Sequence, residues 1–233
     1  MSTVFNFTFV PWFRSVAPYI HMHRGKTFVV AVAGEAIAAG KLPSLAQDLA
    51  LIQSMGVKIV LVHGFRPQVN EQLKAKGHAP QYSHGIRITD SVALDCAQEA
   101  AGQLRYEIEA AFSQGLPNTP MAGATIRVIS GNFITARPVG IVDGVDFQHS
   151  GLVRKVDVPG ISKSLNLGAM VLLSPFGFSP TGEAFNLTME EVATSVSIAL
   201  QADKLIFVTE VPGRSEEHTS ELQSRLHLVC RLL

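Results

Sequence analysis

Residues 60–69, VLVHGFRPQV, carry an apolar run into a His-Gly pair and on to Phe65, Arg66 and Pro67. A strand that empties into a glycine-containing loop is where an α/β protein cradles a small ligand, often a phosphate held on backbone N–H groups. Phe65 and Arg66 put bulk where such a cradle uses small residues. A second loop of this kind closes FVVAVAG (28–34) at Gly34. Arg87, in GIRITD (85–90), could offer its guanidinium fork to a carboxylate; the plainer reading is a surface arginine paired with Asp90 or water. Asn186 and Glu190 add an amide and a carboxylate in NLTMEE (186–191), yet Thr188 followed by Glu191 also fits a helix capping box. His63 closes a buried strand and reads first as a bonded core residue, second as a ligand. Asp143, Asp146, His149 and Asp157 match no metal-ligand spacing, and turn chemistry accounts for Asp143. No Ser-His-Asp or Cys-His arrangement is legible.

The elements that must position these groups follow from apolar periodicity. Strands are predicted at 28–34, 58–64, 125–130, 132–139, 151–158, 169–176 and 204–211, and helices at 42–56, 66–77, 90–115 and 190–202. The longest helix repeats Val92, Cys96, Ala100, Leu104, Ile108 and Phe112 every fourth residue, with Asp90 as its cap. Asp143-Gly144 is a turn signal inside an antiparallel flap. Alternating strands and helices with apolar runs predict a mainly parallel sheet covered on both faces, a three-layer α/β sandwich. Ligands of such sheets sit beyond the strand C-termini, where the loops at Gly34, Gly64 and Ser174 would meet. Ahead of the first strand, FVPWFRSVAPYIHMHRGK (9–26) is an aromatic arm with Pro18 interrupting or restarting a helix. Docking on a partner subunit and packing on its own domain are both open to it.

Composition narrows the classes. The 233 residues balance 19 basic against 19 acidic side chains, so no field favours nucleic acid or anionic lipid. Charged residues are 16%, against about 25% in typical domains, which suits strands buried on both faces or surface buried in an oligomer. No apolar run reaches the roughly 18 residues of a membrane span, and no secretory leader is recognisable. Cys96 and Cys230 build no disulfide framework, so a cytoplasmic location is expected.

After Val-Pro-Gly the alternation stops at RSEEHTSELQSRLHLVCRLL (214–233). RSEEHTSELQS is similar to a translated short-read sequencing adapter, and residues 214–233 are therefore expected to be a non-native tail. Leu222, Leu226 and Val229 nonetheless allow a helix there. The expected organisation is an arm over 1–26, a core domain over 27–213 left incomplete at its C-terminal end, and the tail.

FVVAVAGEAI, LVHGFRPQV, GIRITD, SGNFI and GEAFNLTMEEVA occur in an order and spacing that resembles the amino-acid-kinase-like domain, most closely that of the bacterial N-acetylglutamate synthase family. The resemblance covers roughly residues 9–213. It implies Ala31 where related acetylglutamate kinases carry a lysine, and Phe65 and Arg66 where they carry glycines. Gly34, His63, Gly64 and Pro67 remain. Arg87 stands where the kinase arginine holds the acetylglutamate carboxylate, Asn186 where an asparagine contacts that ligand, and Glu190 where an aspartate orients catalytic groups. The implied picture is a decayed phosphate site (Ala31, Phe65, Arg66, Glu190) beside a relic amino-acid pocket (Gly34, His63, Gly64, Arg87, Asn186), with no metal and no cofactor. The intact enzyme, by the same resemblance, moves an acetyl group from acetyl-CoA to L-glutamate in the first step of arginine biosynthesis. Its catalytic groups lie in an acetyltransferase domain outside this chain, so the chain alone is expected to be inactive. L-arginine as inhibitor and a homo-oligomer are implied as well. Two alternatives are an active acetylglutamate kinase and a stand-alone, non-catalytic regulatory module.

Overall fold

A computed structural model describes residues 9–114, 122–209 and 227–231. In chain order the elements are α1 (Phe9–His23), β1 (Thr27–Val32), α2 (Gly34–Ala38), α3 (Leu42–Ser54), β2 (Lys58–His63), α4 (Arg66–Ala75), β3 (Gln81–Ser83), β4 (Ile86–Ile88) and α5 (Ser91–Ser113). There follow β5 (Val128–Ser130), β6 (Ile134–Pro138), β7 (Ile141–Val142), β8 (Val145–Asp146), β9 (Gly151–Val156), α6 (Val158–Asn166), β10 (Met170–Leu173), β11 (Phe176–Phe178), β12 (Ala184–Asn186), α7 (Met189–Leu200), β13 (Lys204–Thr209) and β14 (His227–Arg231).

The main sheet runs β14-β13-β1-β2-β10-β5, and all its pairings are parallel except that of β14. Alternate residues of its strands feed two cores. Val30, Val32, Ile59, Leu61, Met170 and Leu172 face α3, α4 and α5, meeting Leu45, Leu49, Val69, Leu73 and the α5 stripe. Val29, Ala31, Val60, Val62, Val171 and Leu173 face α6 and α7, meeting Ile161, Leu165, Val192 and Val196. Burial of both faces is why these strands read as unbroken apolar runs. The three-layer α/β architecture with a mainly parallel sheet is thus the observed one.

On α5 the predicted stripe is buried from Cys96 to Phe112, with Val92 only partly covered. Asp90 caps the helix, accepting from the Ala93 N–H at 2.8 Å, and its other oxygen is 2.7 Å from His78 Nε2. Burial disfavours the Asp90 charge, but these hydrogen bonds outweigh it and hold the carboxyl below its ordinary pKa.

A second sheet, β12-β11-β6-β9, lies over the α6/α7 side. The predicted flap is its antiparallel β6–β9 pair, bulged between Thr135 and Ala136. The turn signal sits in the β7–β8 hairpin, where Asp143 and Gly144 both take positive φ, 50° and 79°. Positive φ at both central residues is what a two-residue type I′ hairpin turn requires.

Several elements depart from expectation. The run 169–176 is two strands, because the chain turns between Leu173 and Phe176 to leave one sheet for the other. The run 151–158 ends early, since Asp157 caps α6 through the Gly160 N–H. The hairpin β3–β4 and the short α2 carry too few periodic residues to announce themselves. α1 continues through Pro18; its Trp12, Phe13 and Tyr19 are exposed, so water can serve the carbonyl that proline leaves unbonded. Residues 214–226 lie outside the described residues, while 227–231 form a strand on β13 instead of a helix. An open strand edge is a template for any β-capable segment. That pairing reports on the edge of β13 and not on where the segment comes from.

Replacing the α5 cap tests the local account. Asp90→Ala is expected to lose about 1 kcal/mol of stability, read as a lower urea midpoint at unchanged slope. The wild-type contribution is present above the ordinary aspartate pKa and is lost as pH falls through the depressed value of the folded state.

Candidate functional site

A cavity of about 100 Å³ opens beyond the C-terminal ends of β1, β2 and β10. Its lining comes from the β1–α2 turn (Ala33, Gly34, Glu35), the β2–α4 turn (Gly64, Phe65, Arg66), β4 (Ile86, Arg87), Ser150, Pro175 and residues 186–190. Of the candidate residues, Gly34, Gly64, Phe65, Arg66, Arg87, Asn186 and Glu190 are on this lining, and Ala31 and His63 are not.

The two glycines press on each other. A Cβ on Gly64 would sit 2.9 Å from the Gly34 nitrogen, and one on Gly34 would sit 3.1 Å from the Gly64 carbonyl carbon and 2.8 Å from Pro67 Cδ. Hydrogen bonds fix the approach: Gly64 N–H to the Val32 carbonyl at 2.7 Å, and Gln68 Nε2 to the Gly34 carbonyl at 3.1 Å. Glycine is required here so that two turns can meet.

Ala31 is wholly buried against the α6/α7 layer and brings no charge towards the cavity. Phe65 lines the cavity but is only 5% exposed, its ring edge-on to His63 with centroids 6.2 Å apart. Arg66 is exposed and donates to the Gly85 carbonyl at 3.1 Å. Glu190 is exposed at the start of α7. Thr188 caps that helix, accepting from the Glu191 N–H at 3.3 Å. The reciprocal half of the capping box is missing, because Glu191 Oε1 instead accepts from the Val153 N–H at 2.7 Å.

Arg87 is not the surface arginine of the plainer reading. It is 7% exposed, while Asp90 is engaged by His78 and the α5 N-terminus. Its Nη2 donates to Asn70 Oδ1 at 2.6 Å, and its guanidinium lies 4.9 Å from the centre of the Tyr82 ring. Its Nη1 is buried without a partner. Burial lowers the Arg87 pKa, and the neighbouring Arg66 charge lowers it further; an arginine nonetheless stays cationic.

Asn186, also 7% exposed, donates through Nδ2 to Thr89 Oγ1 at 3.0 Å and leaves a buried Oδ1 unpaired. Ser150 Oγ gives its one proton to the Arg87 carbonyl and accepts from the Thr89 hydroxyl at 2.8 Å and from the Thr89 N–H at 3.1 Å. This network ties the end of β4 to the turn before β9 and to β12. Thr89, Ser150, Asn70 and Tyr82 escape a sequence reading, being common polar types that matter only once distant segments meet. The arrangement offers a small ligand a buried cationic donor at Arg87 and a buried acceptor at Asn186, suited to a carboxylate beside an N–H. Among the described residues no cluster of metal-ligating side chains occurs.

His63 lies behind this lining, fully buried, with Nε2 2.8 Å from Ser174 Oγ. Burial pushes its pKa down to about 4, against a small opposing effect of the Gly64 carbonyl. The folded chain therefore keeps His63 neutral where an unfolded chain takes up a proton. Stability is expected to fall as pH drops from about 6.5 towards 4, and His63→Gln should flatten that slope in urea titrations. Gly64→Ala is expected to cost about 1–3 kcal/mol through overlap with the Gly34 backbone. Gly102→Ala, in open space on α5, should instead gain about 0.5–1 kcal/mol.

The profile described as the amino acid kinase family matches residues 26–214. An amino-acid acetyltransferase of Ralstonia nicotianae is 60% identical over 220 residues, covering 94% of this chain and 49% of the relative. One from Pseudomonas fluorescens is 48% identical over 210 residues, covering 90% and 49%. The crystal structure of N-acetylglutamate synthase from Neisseria gonorrhoeae, complexed with coenzyme A and L-arginine, superimposes with a TM-score of 0.81 at 38% identity, covering 91% of this chain and 50% of that one. An isopentenyl phosphate kinase of T. acidophilum, at 14% identity and a TM-score of 0.52, shares the fold. The chain spans about half the length of the curated relatives it matches.

Proposed function

The chain belongs to the amino acid kinase family, and on that premise we propose that it is the amino-acid-sensing, non-phosphorylating part of an N-acetylglutamate synthase. The observation that carries this reading is the closure of the two glycine turns on each other. Phosphoryl transfer needs backbone N–H groups and a cation arranged around a polyphosphate. Here the turns approach so closely that a Cβ on either glycine would overlap the other turn, and Ala31 adds no charge. Glu35 and Glu190 on the lining further oppose a polyanion. The Arg87–Asn186 wall, by contrast, is equipped for the carboxylate and N–H of an amino acid or its acyl derivative.

Relatives named amino-acid acetyltransferase support the rest. The whole protein, in this proposal, transfers acetyl from acetyl-CoA to the amine of L-glutamate in arginine biosynthesis. The reaction needs a neutral amine attacking a thioester, with stabilisation of the oxyanion. No catalytic residue for it is assigned within this chain, which is proposed to be inactive alone, to bind no cofactor and to assemble as a homo-oligomer in the cytoplasm. Among the described residues no helix is long and apolar enough to cross a membrane. L-arginine is proposed as inhibitor of the whole enzyme, the gonococcal synthase having been crystallised with it.

The chain incubated with Mg-ATP and N-acetyl-L-glutamate is expected to release no ADP above the uncatalysed background. ADP formation at ordinary kinase rates, about 1–100 per second, would overturn the reading in favour of an active kinase.

A further inference from the structure

The C-terminal end of α1 meets the main sheet at a cluster of charged groups. His23, the last residue of the helix, sets its ring edge-on to Phe28 of β1, with centroids 5.4 Å apart. Lys204 begins β13 as the register partner of Phe28. Its ammonium lies 5.4 Å from the centre of the Phe28 ring and 3.4 Å from His23 Nε2. An ammonium can only donate, so His23 Nε2 takes part as the unprotonated acceptor. Asp203 is the neighbouring carboxylate, and both its oxygens are engaged. Oδ1 meets Lys26 Nζ at 2.9 Å, and Oδ2 accepts from the Thr27 N–H at 2.9 Å. His23 thus faces two ammonium groups, Lys26 and Lys204, against one occupied carboxylate. Arg24 lies along Gly56 instead, and His21 is exposed on α1.

This cluster is also where the arm joins the domain. Val16, Ala17, Ile20 and His23 are half-buried, whereas Val10, Trp12, Phe13, Tyr19 and Met22 are exposed. Past His23 the chain turns at Gly25, which takes a positive φ of 78° and donates its N–H to the Gly56 carbonyl at 2.8 Å. From Thr27 onward β1 is locked into ladders with β2 and β13. Any change in the direction of α1 is therefore taken up between His23 and Thr27. Of the charged groups at that joint, the histidine is the one that gains or loses a proton near neutral pH. Burial lowers the His23 pKa and the Lys204 charge lowers it further, while Asp203 opposes them. A proton on Nε2 removes the acceptor for Lys204 and adds a third cation to the two already there.

We propose that the His23–Lys204 contact is a pH-sensitive hinge for the arm. With His23 neutral, α1 is seated on the end of the sheet formed by the starts of β1 and β13. With His23 protonated, the C-terminal end of the helix is released. A histidine whose protonation is disfavoured in the seated state stabilises that state above its ordinary pKa, and the contribution is lost as pH falls. The direction in which Trp12, Phe13 and Tyr19 are presented is thereby set by one proton. The hinge lies at the opposite end of the strands from the cavity and is independent of what the cavity binds.

Trp12 is the one tryptophan of the chain and reports on the arm directly. Time-resolved fluorescence anisotropy of the full 233-residue chain is expected to show a slow component that shrinks as pH falls from about 8 to about 5.5. The midpoint should lie below the ordinary histidine value of about 6.5. His23→Gln keeps a neutral acceptor for Lys204 and should hold the slow component constant over the same range. General acid loosening of the fold affects both proteins alike and cancels in that comparison. Lys204→Met should raise the His23 midpoint, followed by NMR of the ring, towards about 6.5. An anisotropy that does not change with pH in the wild-type chain would overturn the hinge. So would a change that persists in His23→Gln, which would assign it to another group, or a His23 midpoint that Lys204→Met leaves in place.

Discussion

The contact between the Gly34 and Gly64 turns is the constraint on which the rest of the site depends. Each turn leaves the C-terminal end of a central strand, and β1 and β2 are paired in register up to Val32 and His63. The Gly64 N–H extends that ladder to the Val32 carbonyl. With no Cβ on either side, the two backbones approach until a single added carbon would collide. The same absence of side chains that lets a nucleotide approach a backbone here lets a backbone approach a backbone. The close approach is reached within the ordinary architecture of the sheet, with no change in strand order or pairing.

What stays open is set by the second sheet. Asn186 reaches the cavity from β12 and Ser150 from the turn before β9, and Thr89, buried behind them just after β4, bonds to both. Their hydrogen bonds knit three distant segments, and each has its partner chosen by the others. Buried polar groups of this kind are costly unless satisfied. Among the described residues five buried side-chain atoms lack a partner, and two of them, Arg87 Nη1 and Asn186 Oδ1, belong to residues that line the cavity.

Much of the fold was legible in the sequence because burial on both faces writes itself as uninterrupted apolar runs. β1, β2, β10 and β13 follow from that signal, and α5 from a four-residue repeat that buries Cys96 through Phe112. Short elements were not legible. The β3–β4 hairpin has three residues per strand, and α2 has five residues, too few to establish a period. Within the site, loop position and resemblance point to Gly34, Gly64, Arg87 and Asn186, and the structure brings these four to one cavity. His63 shares that loop position, yet its side chain turns inward to Ser174.

By itself the sequence determined the three-layer α/β class and the central strands β1, β2, β10 and β13, because these depend on local periodicity and on where glycine interrupts it. Only the tertiary structure decided that Arg87 is buried, that it shares Tyr82 with Arg66, and that Thr89, Ser150 and Asn186 form one network. Apart from Tyr82 and Arg87, cross-strand neighbours in the β3–β4 hairpin, those pairings span 16 to 97 residues of chain. Such pairings depend on distances in space, which no local pattern of residue types encodes.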